Sequence, residues 1–152
     1  MTDYYNLMST PGALIRRAQQ LHAAYWLELV GSQFTSAQFA VLTAARRNPD
    51  IDQTQLSRES SLDTSTVQAV VVRLVQKGML TRRRSKADRR RWLVRLTDPG
   101  VETLERVMPK VLEIPDLLLG SLQEDERAEF SRMLLKIVEQ GEKRLRPPDV
   151  GA

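Results

Sequence analysis

From Leu14 onward, apolar positions recur every three or four residues through Ala18, Leu21 and Tyr25 to Leu29, with Ile15, His22 and Trp26 beside them. That spacing is one face of an α-helix, and its width predicts a helix buried on more than one side. Thr10-Pro11-Gly12 supplies its start, with Thr10 as N-cap and Pro11 at the first helical position, where a missing N–H costs nothing. Gly31 supplies its end. Phe34 and Phe39 flank Thr35-Ser36-Ala37-Gln38, the pattern of a capping box with a hydrophobic staple. A second helix is therefore expected to about Arg47, stopped by Asn48-Pro49-Asp50. Asp52 and Gln55 repeat the capping pattern for a short third helix ending near Ser60. Asp63 caps a fourth, Thr64 to Lys77, with Val67, Val70, Val71, Leu74 and Val75 inward and Gly78 as terminator.

The period then changes. Met79 to Arg84 and Arg91 to Thr97 read as two strands around a polar, basic turn, Ser85 to Arg90, and Trp92, Val94 and Leu96 alternate with Leu93 and Arg95. Asp98-Pro99-Gly100 opens a long helix carrying Val101, Leu104, Val107, Met108, Val111 and Leu112, which Pro109 and Pro115 should kink or divide. A last helix, about Gln123 to Lys143, shows Phe130, Met133, Leu134, Ile137 and Val138. Pro147-Pro148 opens a tail, residues 147–152, expected to be disordered. The expected fold is mainly α with a small β-hairpin, in the order helix, helix, helix-turn-helix, hairpin, helix, helix.

Composition narrows the chemistry. The 152 residues, 41% hydrophobic and 28% charged, suffice for one compact domain, taken as 1–146. No membrane span and no signal peptide are legible, so a cytoplasmic protein without a membrane partner is expected. Cysteine is absent and His22 is the only histidine, which removes disulfides, thiol redox sensing and thiolate metal sites. No metal or cofactor is expected. With one histidine and scattered carboxylates, no catalytic cluster emerges, and an enzyme is not expected. The formal net charge is +4, yet the segment Arg82 to Arg95 alone carries +7, with Asp88 its only acid. The rest of the chain is slightly acidic. A basic patch on such a background is the footprint of a surface for a polyanion, although charge runs also serve simply as solvated faces.

Residues 52 to 77 hold two helices joined by a turn at Ser60-Ser61-Leu62, the dimensions of a helix-turn-helix. The second opens with Thr64, Ser65 and Thr66 and exposes Gln68, whose hydroxyls and amide suit base edges and phosphates. Helix-start N–H groups there are expected to be open to phosphate, and Arg73 is spaced for another. A basic wing directly after that helix can enter the adjacent minor groove with Arg84, Lys86, Arg89 and Arg90. Asp88 could brace the Arg90 guanidinium or a turn amide. The reading is a winged helix-turn-helix, core about 34–97, that binds double-stranded DNA sequence-specifically over a pseudo-palindrome. The alternative is a non-specific architectural DNA- or RNA-binding protein.

The run Leu56-Ser57, Ser65-Thr66-Val67 and Arg73-Leu74-Val75-Gln76-Lys77-Gly78-Met79-Leu80, followed by Asp88-Arg89-Arg90, Leu93-Val94-Arg95-Leu96-Thr97 and Pro99-Gly100, resembles the MarR family of transcriptional regulators. The most specific parts are Leu-x-x-Lys-Gly-x-Leu and the Asp-x-Arg wing closing on Leu-Thr. The resemblance implies a homodimer whose helices at about 10–31 and 98–144 intertwine, with Arg90 in a minor groove. The opening Pro11-Gly12-Ala13-Leu14-Ile15-Arg16-Arg17 is similar to a subgroup that answers to aromatic acids, which implies a repressor released by such a ligand. Arg16 would then hold the carboxylate and His22 a ring substituent, with Tyr25, Trp26 and Phe39 as apolar walls. Six residues on a helix set Arg16 and His22 about 120° apart, so spacing does not itself make them a pair. Arg16 in an interface salt bridge and His22 in the core is the competing arrangement.

Overall fold

The computed structural model describes residues 8–145. The elements are α1 (Pro11–Leu29), α2 (Ser36–Arg47), β1 (Ile51–Asp52), α3 (Gln53–Ser60), α4 (Thr64–Gln76), β2 (Leu80–Arg84), β3 (Trp92–Leu96), α5 (Asp98–Leu118) and α6 (Glu124–Leu145). The caps anticipated from the sequence are formed. Thr10 accepts from the Ala13 N–H at the start of α1. At α2 the capping box is reciprocal: the Gln38 N–H donates to Thr35 Oγ1 at 3.2 Å, and the Thr35 N–H donates to Gln38 Oε1 at 3.1 Å. Asp52 and Asp63 cap α3 and α4, and Gly78 leaves α4 with φ +70°.

Val41, Leu42, Leu56, Val67, Leu74 and Leu104 lose all solvent exposure in one core, which joins α2, α3, α4 and α5. Burying each such side chain contributes roughly 1.5–3 kcal/mol. The sheet is antiparallel in the order β1-β3-β2. Leu80 lies opposite Leu96 and Arg84 opposite Trp92, while Ile51 lies opposite Val94 on the other edge of β3. β1 was not anticipated. Two residues are too few for an alternating pattern, and Ile51-Asp52 becomes a strand only because β3 offers it an edge.

Gly100 shows how closely the hairpin and α5 are joined. A Cβ there would lie 2.3 Å from the Met79 carbonyl oxygen and 2.7 Å from Leu96 Cδ1. Because the first of these is backbone, the clash cannot be relieved by a rotamer change. Gly100→Ala is expected to destabilise the fold by about 1–3 kcal/mol in chemical denaturation. Wild-type stability in that variant would contradict this packing.

One expectation is corrected. α5 is not divided: it remains helical across Pro109 and Pro115, although each proline forfeits one backbone hydrogen bond. Leu104, Val107 and Ile114 are buried along its length. The multi-sided burial of α1 does not occur within one chain. Only Ala13 and Trp26 are buried, while Leu14, Ile15, Leu21 and Leu27 are about half exposed or more. The apolar stripe of α6 is likewise uncovered, with Met133, Ile137 and Val138 exposed.

The chain divides into two compact units at the Ile114–Pro115 bond. The first contains the helix-turn-helix, the sheet and the core. In the second, Arg127 donates to Asp116 at 2.9 Å and to the Leu122 carbonyl at 3.1 Å. Among the described residues no helix is long and apolar enough to cross a membrane. The tail 147–152 lies outside the described residues.

Candidate nucleic-acid interface

The turn between α3 and α4 is made tight by small side chains. Ser61 adopts a left-handed conformation with φ +55°. The buried Ser57 hydroxyl donates to the Leu62 carbonyl at 2.5 Å, and that of Ser60 donates to the Leu56 carbonyl at 2.6 Å. These bonds satisfy backbone acceptors that the turn would otherwise leave unpaired. α4 then turns Val67, Val70, Val71 and Leu74 into the core, leaving Thr64, Ser65, Gln68 and Arg73 exposed.

The start of α4 differs from expectation. The Asp63 carboxylate accepts from the Thr66 N–H at 2.9 Å, from Thr66 Oγ1 at 2.5 Å and from Ser65 Oγ. The Thr66 N–H is therefore taken by a carboxylate and is not open to phosphate. Hydrogen bonding from Ser65, then from Thr66, holds the Asp63 carboxyl far below the usual carboxylate range.

β2, β3 and their connecting turn form the wing. The Arg90 N–H donates to Asp88 Oδ1 at 2.9 Å, so Asp88 braces the turn amide. The Arg91 N–H donates to the Asp88 carbonyl at 3.0 Å and closes the loop with the bond from the Ser85 N–H to the Arg91 carbonyl, 2.9 Å. Most of the basic run is engaged within the protein. Arg83 and Arg95 pair with Asp50, and Arg91 pairs with Asp52. The guanidiniums of Arg82 and Arg84 lie 4.7 and 4.2 Å from the Trp92 ring centroid. Arg84 also donates to the Arg89 carbonyl at 2.8 Å. Arg84 is thus built into the wing, whereas Lys86, Arg89 and Arg90 project from its tip, exposed and without side-chain partners among the described residues.

Wing and helix meet in a cleft of about 350 Å³ lined by Asp52, Gln53, Thr54, Thr64, Gln68, Arg90, Arg91 and Trp92. It brings together Thr64, Gln68 and Arg90, which the sequence singled out from separate elements. Arg73 is on the same helix but outside that lining. Asp50, Asp52, Gln53, Thr54 and Trp92 were missed. Their signal was indirect: acids two residues apart just before α3, and an aromatic in the strand facing an arginine run.

Asp52 links the two halves. Its Oδ1 accepts from the N–H groups of Thr54 and Gln55 at 2.9 and 3.0 Å, while Oδ2 pairs with Arg91. Burial opposes its ionisation, but the hydrogen bonds from Gln55 and Arg91 prevail and lower its pKa below 3.8. A carboxylate with a depressed folded-state pKa contributes stability above its unfolded value, lost as pH falls through the folded one. Asp52→Asn is expected to lower stability near neutral pH and to flatten its acid dependence below about pH 4. Thermal melts of both proteins across that range check this, and parallel curves would contradict it.

The other predicted cluster is only partly assembled. The His22 and Trp26 ring centroids are 6.4 Å apart, and Trp26 meets Phe39 edge to face at 5.7 Å. Trp26 Nε1–H donates to the Phe34 carbonyl at 2.7 Å. Tyr25 packs against the same core. Arg16 is exposed on α1 and is not part of this ring cluster.

The model of the MarR family matches residues 34–92, from just before α2 to the first residue of β3. The HTH-type transcriptional repressor NicR of Pseudomonas putida is 30% identical over 139 residues, covering 91% of this chain and 88% of NicR. Among solved structures, the PcaV transcriptional regulator of Streptomyces coelicolor with its natural ligand is 36% identical at a TM-score of 0.83, covering 87% of this chain and 94% of PcaV. BpsR of Bordetella bronchiseptica, whose DNA binding is regulated by 6-hydroxynicotinic acid, is 32% identical at a TM-score of 0.84, covering 87% of this chain and 95% of BpsR. With the family match over the helix-turn-helix and a relative 30% identical across about nine-tenths of both chains, the chain belongs to the MarR family.

Proposed function

We propose that this protein is a dimeric, sequence-specific double-stranded DNA-binding regulator, a repressor released by a small aromatic acid. The observation that carries the reading is the cleft in which Thr64 and Gln68 of α4 face Arg90 of the wing. Helix hydroxyls and amide meet base edges in the major groove, and the tip cations Lys86, Arg89 and Arg90 meet the minor groove and its phosphates. Arg73 serves a phosphate, and Asp88 and Arg84 shape the wing. The protein acts in the cytoplasm, by binding and without catalysis. Residues 1–146 work as one unit, in which the helices outside 34–97 build the dimer. The uncovered apolar side chains of α1 and α6 support this, because a soluble monomer rarely leaves such stripes open. Light scattering at micromolar concentration should give twice the chain mass.

NicR is a repressor, and BpsR answers to a hydroxylated aromatic acid, which favours the same ligand class here. Arg16 pairs with the carboxylate, His22 meets a ring substituent, and Trp26 and Phe39 supply apolar wall. An effector of this kind must prefer the DNA-incompetent dimer, since equal affinity shifts nothing. Fluorescence anisotropy on labelled DNA from upstream of its own gene tests the whole reading. Wild type should bind and be released by 6-hydroxynicotinate or a hydroxybenzoate, and Arg16→Ala should bind nearly as well but resist release. Undiminished release from Arg16→Ala removes Arg16 from the site, and equal affinity for operator and bulk DNA returns the architectural alternative.

A further inference from the structure

We infer that Asp63 locks the hydroxyl hydrogens of Ser65 and Thr66 inward, so that the start of α4 meets DNA as a set of acceptors and dictates which strand of the operator carries adenine or cytosine there. The inference rests on α4 lying in a major groove, as proposed above.

A hydroxyl has one hydrogen to give and two lone pairs. An ionised carboxylate can only accept, so in each contact with Asp63 the hydroxyl is the donor. Both hydrogens are committed in this way, Thr66 Oγ1 at 2.5 Å from Oδ2 and Ser65 Oγ on Oδ1. The same Oδ1 takes the Thr66 N–H at 2.9 Å. Asp63 stays ionised through these bonds across the physiological range, because they hold its carboxyl well below the ordinary carboxylate pKa. What remains outward on Ser65 and Thr66 is lone pairs, beside a carboxylate that also accepts.

In the major groove adenine and cytosine offer an amino hydrogen, while guanine and thymine offer only acceptors at their O6, N7 and O4 positions. A face of acceptors is matched by adenine or cytosine and repelled by guanine or thymine. Every base pair presents one amino group in the major groove, so the selection concerns its orientation: A·T over T·A, and C·G over G·C. Hydroxyls free to rotate would instead tolerate both orientations.

The test is selection of half-sites from a randomised duplex pool, followed by competition binding on defined duplexes with each selected pair inverted in turn. With the wild-type dimer, at least one position facing α4 should lose about tenfold in affinity on inversion. Replacing adenine there by unsubstituted purine, which lacks the amino group, should cost a similar factor. Asn remains a good N-cap, its Oδ1 still accepting from the Thr66 N–H and Ser65 Oγ, but an amide donor replaces Oδ2 and frees the Thr66 hydroxyl to donate. Asp63→Asn should therefore bind duplex while the preference opposite Thr66 falls towards unity. Ser65→Ala keeps Asp63 on the Thr66 N–H and should weaken the preference at one position. A preference opposite Thr66 undiminished in Asp63→Asn, one opposite Ser65 undiminished in Ser65→Ala, or guanine and thymine selected on the facing strand, overturns the inference while leaving DNA binding intact. Failure of the wild type to enrich any duplex overturns the DNA-binding reading and this inference with it.

Discussion

Arg90→Ala is expected to lower operator affinity about a hundredfold at moderate salt. Each dimer carries two wings, and loss of one well-placed groove contact costs roughly tenfold per wing. The salt dependence should change in step. If each Arg90 displaces one counterion, the slope of log affinity against log salt should fall by about 1.8 for the dimer. The structure sharpens this expectation, because Arg82, Arg83, Arg84, Arg91 and Arg95 are already engaged by Asp50, Asp52 and Trp92. Removal of a tip cation therefore takes away a large share of the charge available to DNA. Asp88→Ala gives the companion result. It removes a negative charge from the wing, which electrostatics alone would reward, yet it also removes the acceptor that fixes the Arg90 amide. Weaker binding of Asp88→Ala supports the brace, and tighter binding would show Asp88 to be merely repulsive.

Leu74→Ala should have the largest effect on stability, about 2–5 kcal/mol in chemical denaturation. Leu74 is fully buried in the core that carries the inner face of α4. Its truncation leaves a cavity directly beneath the proposed recognition surface, so operator binding should weaken together with stability. A loss below about 1 kcal/mol would mean that the core relaxes around the gap.

The sequence disclosed the helical framework because caps and apolar periodicity are local. Thr35 and Gln38, Asp52, Asp63 and Gly78 act within a few residues of themselves, and each holds the position read from the chain. The pairing of Leu80 with Leu96 follows from the same logic, since a short basic turn between two apolar strands permits few registers. What escaped was non-local. Ile51-Asp52 forms a strand by docking on β3, and Asp50 and Asp52 neutralise wing arginines more than thirty residues away. Arg84 counted as a free cation in the sequence, but a tryptophan across the strand and a turn carbonyl engage it. The start of α4 held a subtler error: Ser65 is exposed and Thr66 half-buried, but the capping acid that starts the helix also takes their hydrogens. The breadth of the α1 stripe exceeds what one chain buries, since only Ala13 and Trp26 of that helix are fully buried.

The central claim is that α4 and the wing engage DNA as one unit, in a dimer. Hydroxyl-radical footprinting with methylation interference on a selected operator measures this directly. The expected pattern is two half-sites about one helical turn apart, each with major-groove interference flanked by minor-groove protection that Arg90→Ala erases. Protection spread evenly along the duplex, or a footprint unchanged in Arg90→Ala, would contradict the account.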